Sequence, residues 1–245
     1  EELFLVFQPQ YTTYSKKLRG FESLLRWKSG KLGTISPGDF IPIAEEMGYI
    51  NLLGKWVLEE SCKKLKLWHD TYNTDINMSI NISAVQINDP SFLNIVYKIL
   101  KDTGVNPKCL EFEITESIFV STMDYATDVL NKLKELGIKI ALDDFGKGYS
   151  SLSYICSFPI DSLKIDKSFI DDITTNEKKD SIVGSIISLV HDLDISVISE
   201  GIETTEQLQC LKCHSCDYIQ GFLWGKPLFE EAAENLLSEQ NNVIC

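Results

Sequence analysis

The chain is poor in histidine, carries no excess of positive charge and lacks long apolar runs. Only 3 of its 245 residues are His, and none has the spacing of a zinc-binding HExxH motif. Acidic residues outnumber Lys and Arg by 36 to 23, and the net charge of −13 repels nucleic acid polymers and anionic membranes. No segment approaches the roughly 18 uninterrupted apolar residues of a membrane-spanning helix. We therefore expect no nucleic acid polymer as a partner and no direct membrane contact.

The sequence also lacks the GxSxG turn of a serine nucleophile. Its 7 Cys residues are an odd number, which suits a reducing compartment better than a disulfide framework. Cys210, Cys213 and His214 spell the CxxCH of haem attachment, but that chemistry needs an exported protein, so we interpret these Cys residues as packing residues. The segment from Leu3 to Phe7 lacks the features of a secretory signal. We expect a cytoplasmic location, free or attached to a membrane-anchored parent, and a start inside a longer multidomain protein.

The length and composition fit one α/β barrel domain. A chain of 245 residues with 44% apolar and 24% charged residues matches a (β/α)-barrel of about 250 residues. Short apolar runs alternate with segments of helical period, which predicts successive βα units. No linker or internal repeat divides the chain, so we predict one domain over residues 1–245. The predicted strands are Leu3–Gln8, Phe21–Trp27, Ile76–Ile82, Leu110–Thr115, Ile138–Asp143, Ser162–Ile165, Ile195–Ser199 and Tyr218–Gln220, and the predicted helices are Pro37–Met47, Leu52–Trp68, Ser91–Lys101, Asp124–Leu136, Asp180–Leu193 and Thr205–Leu211.

Polar side chains recur in the predicted strands and where they end. Because parallel barrel strands end at one face, side chains that are distant in sequence are expected to meet over one cleft. The alternative is that each acid merely caps the next helix. That explanation suffices for one residue but not for a series in which Asp143 and Asp144 are adjacent. The residues of this series are Glu22, Asn81, Glu113, Asp143, Asp144, Lys164, Asp166, Glu200 and Gln220.

Such a ring of carboxylates predicts divalent metal ions. Like charges in one cleft raise each other's pKa and destabilise the fold unless cations neutralise them, and oxygen ligands favour Mg²⁺, Mn²⁺ or Ca²⁺. Two ions about 3.5–4 Å apart can activate a water and stabilise both reacting oxygens of a displacement at phosphorus. Lys164 could orient that water or offset developing negative charge. Its alternative role is a salt bridge to Asp166 or another acid.

The polar residues fall within a series of short motifs. They are Phe7–Pro9, Gly20–Trp27, Ser36–Glu45, Asn81–Ser83, Glu113–Glu116, Asp143–Gly146, Lys164–Asp166, Glu200–Glu203 and Gln220–Gly221. In this order and spacing, the chain resembles the EAL-domain family of cyclic di-GMP phosphodiesterases over essentially its full length. The resemblance implies a modified TIM-type (β/α)8 barrel whose first strand is antiparallel, and hydrolysis of cyclic di-GMP to linear pGpG by two Mg²⁺ or Mn²⁺ ions.

The resemblance also implies a role for each residue. Glu22, Asn81, Glu113 and Asp143 would bind one metal, and Asp143, Asp144 and Glu200 the second. Lys164, Glu200 and Asp144 would take part in catalysis, and Gln8 and Arg26 would contact the substrate. Glu116 would steady the loop after the fifth strand, while Asp166, Glu203 and Gln220 would support the site. We also expect a homodimer and an upstream sensory or GGDEF-type domain in the parent protein.

The chain departs from the family pattern in a few places. Ser23 and Ser199 stand where Ala is usual, and Ser23 is expected to point away from the cleft because strand residues alternate. Lys147 stands where the family usually has Thr, and an added cation there bears on loop ordering, substrate affinity and turnover. Two alternatives remain open: a receptor that binds cyclic di-GMP without cleaving it, and a barrel glycosidase with a carboxylate pair. Arg26 and Lys164 suit a phosphate substrate better than the glycoside substrate of the second alternative.

Overall fold

The computed structural model describes residues 2–116, 118, 123–146 and 158–242, and these form a barrel surrounded by helices. Its strands are β1 (Leu3–Thr12), β2 (Leu18–Ser29), β3 (Gly33–Ile35), β4 (Asn77–Asn81), β5 (Leu110–Thr115), β6 (Lys139–Phe145), β7 (Ser162–Ile165), β8 (Ser196–Glu200) and β9 (Tyr218–Gln220). The helices are α1 (Pro37–Glu46), α2 (Ile50–Tyr72), α3 (Ala84–Ile87), α4 (Phe92–Thr103), α5 (Met123–Glu135), α6 (Lys167–Ile170), α7 (Glu177–His191), α8 (Thr205–Cys213) and α9 (Glu230–Asn242). None of these helices is long and apolar enough to cross a membrane.

The sheet closes on itself. Its order is β1-β9-β8-β7-β6-β5-β4-β2, pairing of β1 with β2 completes the ring, and β3 adds to the far end of β2. β1 runs antiparallel to both of its neighbours, whereas the pairs from β2–β4 through β8–β9 are parallel. The predicted modified barrel with an antiparallel first strand is therefore confirmed. The hairpin register places Gln8 opposite Glu22.

Strand alternation sorts the side chains into two layers. One set faces the helices: Phe7 and Phe21 pack against Trp68 of α2, with ring centroids 4.9 and 5.3 Å apart. Burial of each such side chain contributes about 1.5–3 kcal/mol. The other set faces the barrel interior and is largely polar, as shown by hydrogen bonds between strands that are not neighbours. The apolar core therefore lies outside the sheet, and the barrel interior is free to hold charged groups.

Several elements differ from the sequence prediction. β2 is longer than the predicted Phe21–Trp27 because its two ends pair with β1 and β3. The terminal helix α9 was not predicted, and it packs Ala233 and Leu237 into the core. The short elements β3, α3 and α6 were also missed. Lys147 lies outside the residues that the structure describes.

Candidate active site

The buried ammonium of Lys164 stands at the centre of the predicted ring. Within the described part of the chain, four carboxylates from four strands lie within 3.5 Å of Lys164 Nζ. The distances are 2.5 Å to Glu113 Oε2, 2.7 Å to Glu200 Oε1, 3.4 Å to Asp143 Oδ1 and 3.5 Å to Glu22 Oε2. The structure thus brings together acids from β2, β5, β6 and β8. The alternative role of Lys164, an ion pair with nearby acids, is met at the same time.

Two amide side chains hold the carboxylate of Glu22. Asn81 Nδ2 donates to Oε1 at 2.7 Å, and Gln220 Nε2 donates to Oε2 at 2.5 Å. Burial alone would raise the pKa of Glu22, but Lys164 and the two amides hold it below the usual value. Hydrogen bonds to the charged form act in this direction. Glu22 is therefore an anion near neutral pH.

The other acids of the ring show the opposite shift. Burial, aided by the charge of Glu22, raises the pKa of Glu113 well above its usual value. Burial also raises the pKa of Asp143, with Glu22 adding to the rise against the effect of Lys164. For Glu200, burial raises the pKa to about 7 despite the nearby ammonium. The single ammonium of Lys164 therefore supplies too little positive charge to neutralise these acids.

β6 contains an irregular pair of acids near its end. The register between β6 and β7 shifts between Leu142 and Phe145, and Asp144 has a left-handed backbone with φ 57°. Its backbone N–H donates to Asp143 Oδ1 at 2.8 Å. The next turn is held by Glu116, whose Oε1 accepts from the Gly146 N–H at 3.1 Å. Bulges of this kind are common beside active sites, where they redirect a side chain.

The donor set fits a divalent metal ion. Among the described residues, Glu113 Oε1 is one of three buried side-chain atoms without a hydrogen-bond partner, and such an atom can face an ion or a water. The acids that line the ring supply oxygen donors, as hard cations require. In the described part of the chain no three acids form a ready-made metal cluster, and the acids of the ring surround Lys164 instead. Metal binding would therefore draw carboxylates away from the ammonium.

The two predicted substrate-binding residues lie on the antiparallel hairpin. Gln8 pairs with Glu22 in the strand register, and its Nε2 donates to the backbone oxygen of Gly225 at 3.4 Å. Arg26 lies four residues beyond Glu22 on the same face of β2, with Nη1 donating to the backbone oxygen of Leu25 at 2.9 Å. Both side chains are only partly buried, so they remain open to a ligand.

The predicted supporting residues separate into two groups. Asp166 caps α6 through the Ser168 N–H at 2.9 Å, and Gln220 contacts Glu22 directly. Glu203, in contrast, is exposed and pairs with Lys167 at the surface. Its predicted supporting role stays a prediction.

The buried ion pair between Arg19 and Glu111 was not predicted from the sequence. Arg19 donates to both carboxylate oxygens of Glu111, at 2.7 and 2.8 Å, and Ser79 and Ser162 donate to the same carboxylate. Burial alone would raise the pKa of Glu111, but Arg19 lowers it to about 2. The available signal was the spacing of Glu111, two residues before Glu113 in one strand and hence on the same face.

Known proteins share this architecture. The sequence model of the family described as EAL domain matches residues 1–227. Signaling protein YkoW of Bacillus subtilis is 42% identical over 240 residues, covering 98% of this chain and 30% of that protein. The bifunctional diguanylate cyclase/cyclic di-GMP phosphodiesterase MucR of Pseudomonas aeruginosa is 37% identical over 237 residues, covering 97% and 34%. The solved structure described as "PaMucR Phosphodiesterase, c-di-GMP complex" is 36% identical with a TM-score of 0.90, covering 95% of this chain and 94% of that one. The chain thus spans 30% and 34% of the two curated relatives.

Proposed function

The chain belongs to the EAL domain family, and from this membership we propose that it hydrolyses cyclic di-GMP to linear pGpG with the aid of divalent metal ions. A relative of 37% identity is named a cyclic di-GMP phosphodiesterase, and a similar solved structure is described as a c-di-GMP complex. The observation that carries the proposal is the ring of acids around Lys164, with the unpartnered Glu113 Oε1.

The ring residues supply the metal ligands of the proposed reaction. Bound Mg²⁺ or Mn²⁺ would provide a Lewis acid and an activated water. The residues that would hold the ions are Glu22, Asn81, Glu113, Asp143, Asp144 and Glu200.

Protein side chains perform the remaining steps. Glu200, whose carboxylate lies beside Lys164 in the ring, can take a proton from the attacking water. Asp144 would help Asp143 and Glu200 to hold the second ion. The ammonium of Lys164 stabilises negative charge that develops on the phosphoryl oxygens.

Substrate capture depends on local positive charge. The net charge of −13 disfavours the approach of an anionic dinucleotide. Arg26 supplies a guanidinium at the barrel end that holds Glu22, and such a group suits a phosphate oxygen. Gln8, opposite Glu22 in the register, adds an amide donor. We infer that these two residues set the Michaelis constant more than the rate of the chemical step.

The proposal is tested by incubating the protein with cyclic di-GMP and Mn²⁺ and resolving the nucleotides by ion exchange. The wild type is expected to release pGpG, and a chelator is expected to stop the reaction. Glu22→Gln keeps the side-chain shape but removes the charge, so activity should fall at least about 100-fold. Ser23→Ala is the matched control, because that neighbouring side chain faces α2 and shares a 2.7 Å hydrogen bond with Ser61. Full activity in Glu22→Gln would refute the assignment.

The second candidate is a receptor that binds cyclic di-GMP without cleaving it. The closure of the ring acids around Lys164 favours it, because a metal must compete with the ammonium for the same oxygens. Intact ligand recovered after long incubation, together with retained binding, would support the receptor. A glycosidase would instead be indifferent to the chelator. A homodimer and an upstream sensory or GGDEF-type domain stay predictions.

A further inference from the structure

The hydrogen bonds that hold Glu22 continue through the barrel interior to the buried ion pair. Gln220 donates to Glu22 through Nε2 and accepts through Oε1 from Gln10 Nε2 at 2.9 Å. Gln10 in turn accepts through Oε1 from Arg19 Nη1 at 2.6 Å. Arg19 also donates to Glu111. We call the series Arg19, Gln10 and Gln220 the amide relay.

Arg19 decides which atoms of the amide relay donate hydrogen bonds and which accept them. An arginine side chain can only donate, whereas a glutamine amide can present either its oxygen or its nitrogen. Because Arg19 faces Gln10, the amide oxygen of Gln10 must point to it, and the amide nitrogen then points to Gln220. The same reasoning leaves the nitrogen of Gln220 facing Glu22. An amide turned the other way would set its oxygen against a carboxylate.

The strand geometry holds Arg19 in place. Gln10 pairs with Gly20 while Tyr11 pairs with Leu18, so Arg19 is the extra residue of a bulge. Its guanidinium lies 4.6 Å from the ring centroid of Tyr218, and its side chain is only 6% exposed. A guanidinium pinned by a forked ion pair and a ring face has little freedom to reorient. The Arg19 end of the amide relay is therefore rigid.

We propose that Gln10 and Arg19 are positioning residues that orient Glu22 for metal binding. The inference rests on the proposed function, since it concerns how a metal ligand is presented. Without the amide relay, Gln220 can turn its oxygen toward Glu22, which then loses a donor to Oε2. Glu22 would rotate toward Lys164 Nζ, 3.5 Å away, and be less available to a cation. Mutation of residues that orient metal ligands typically weakens metal affinity about 10–100-fold.

The test measures the Mn²⁺ dissociation constant by titration calorimetry. Gln10→Met is nearly isosteric and breaks the amide relay at its middle, so Mn²⁺ binding should weaken about tenfold or more. The turnover number should fall while the Michaelis constant for cyclic di-GMP stays constant. Arg19→Lys retains a cation beside Glu111 but loses the fork, and it should shift the dissociation constant in the same direction. Ser79→Ala is the control, because it removes a 3.0 Å donor to Glu111 without touching the amide relay.

The outcomes separate this inference from the proposed function. An unchanged Mn²⁺ dissociation constant in Gln10→Met overturns the inference, as does an equal weakening in Ser79→Ala at a similar melting temperature. A wild type that binds Mn²⁺ but releases no pGpG overturns the proposed function, while the dissociation constants still decide the role of the amide relay. A wild type that binds no Mn²⁺ overturns both.

Discussion

The ammonium of Lys164 lies closest to Glu113, and their contact shows what burial does to single charges in this barrel. Burial alone would lower the pKa of Lys164, yet Asp143, Glu113 and Glu200 together raise it well above its usual value. The same burial raises the pKa of Glu113. A buried ion pair is stable only when the charges match. The excess of acids over this ammonium is the physical reason to expect further cations.

Glu111 provides a pH-dependent test that is independent of the metal site. Its pKa lies near 2, below the usual 4.5, so its stabilising effect is present above pH 4.5 and is lost as the pH falls toward 2. For this shift the linked free energy of unfolding is about 3 kcal/mol. The difference in unfolding free energy between the wild type and Glu111→Gln should therefore be constant above pH 6 and shrink below pH 4.5. Urea unfolding across this range measures it, and a difference that grows with acid would contradict the assignment.

Single residues also show where sequence reasoning succeeds and fails. The acids of the ring were predictable because each occupies or follows an apolar strand, and the closed barrel brings such positions to one face. The contact of Arg19 with Gln10 was not predictable, because it depends on a bulge in the β1–β2 register. The pairing of Glu203 with Lys167 was not predicted either, because it depends on the path of the loop after β8.

Three strands were predicted with the correct bounds, the other predicted strands differ at one or both ends, and some short or polar elements were missed. β5, β7 and β9 match the predicted Leu110–Thr115, Ser162–Ile165 and Tyr218–Gln220. α9 has a largely polar sequence and buries Ala233 and Leu237, so its period is faint. Its position depends on a tertiary contact, the 3.0 Å hydrogen bond from Trp68 Nε1 to Glu234 Oε1. β3 was missed because its sequence, Gly-Thr-Ile, begins with a residue that is depleted in strands and has no apolar run.

The close approach of β2 and β4 depends on Gly20. A Cβ atom at this position would lie 2.0 Å from the backbone oxygen of Asn77, so the strands would have to separate. We expect Gly20→Ala to lower the free energy of unfolding by roughly 1–3 kcal/mol, the usual cost of overpacking. Gly30→Ala serves as the control, since its added Cβ would be 3.5 Å from a flexible Glu2 side chain. Equal urea midpoints for the two variants would show that β2 and β4 tolerate the extra atom.

Metal binding should stabilise the barrel as a unit, because the ring exists only when the strands are closed. A ligand at 100 times its dissociation constant adds about 2.7 kcal/mol to the free energy of unfolding. We expect Mn²⁺ to raise the melting temperature and a chelator to reverse the rise, as followed by calorimetry. Glu113→Gln should abolish the effect, whereas Glu59→Gln, at a surface ion pair with Lys63, should retain it. A rise of equal size in both variants would place the metal elsewhere.

The central claim is that the acids around Lys164 form a divalent metal site at one end of the barrel. The most direct measurement is anomalous diffraction at the manganese absorption edge from crystals grown with Mn²⁺. We predict a peak within about 2–2.5 Å of oxygens from Glu22, Glu113 and Asp143, with the Lys164 ammonium displaced from at least one of them. Full Mn²⁺ occupancy at another place on the protein, with these acids still closed around Lys164, would contradict the account.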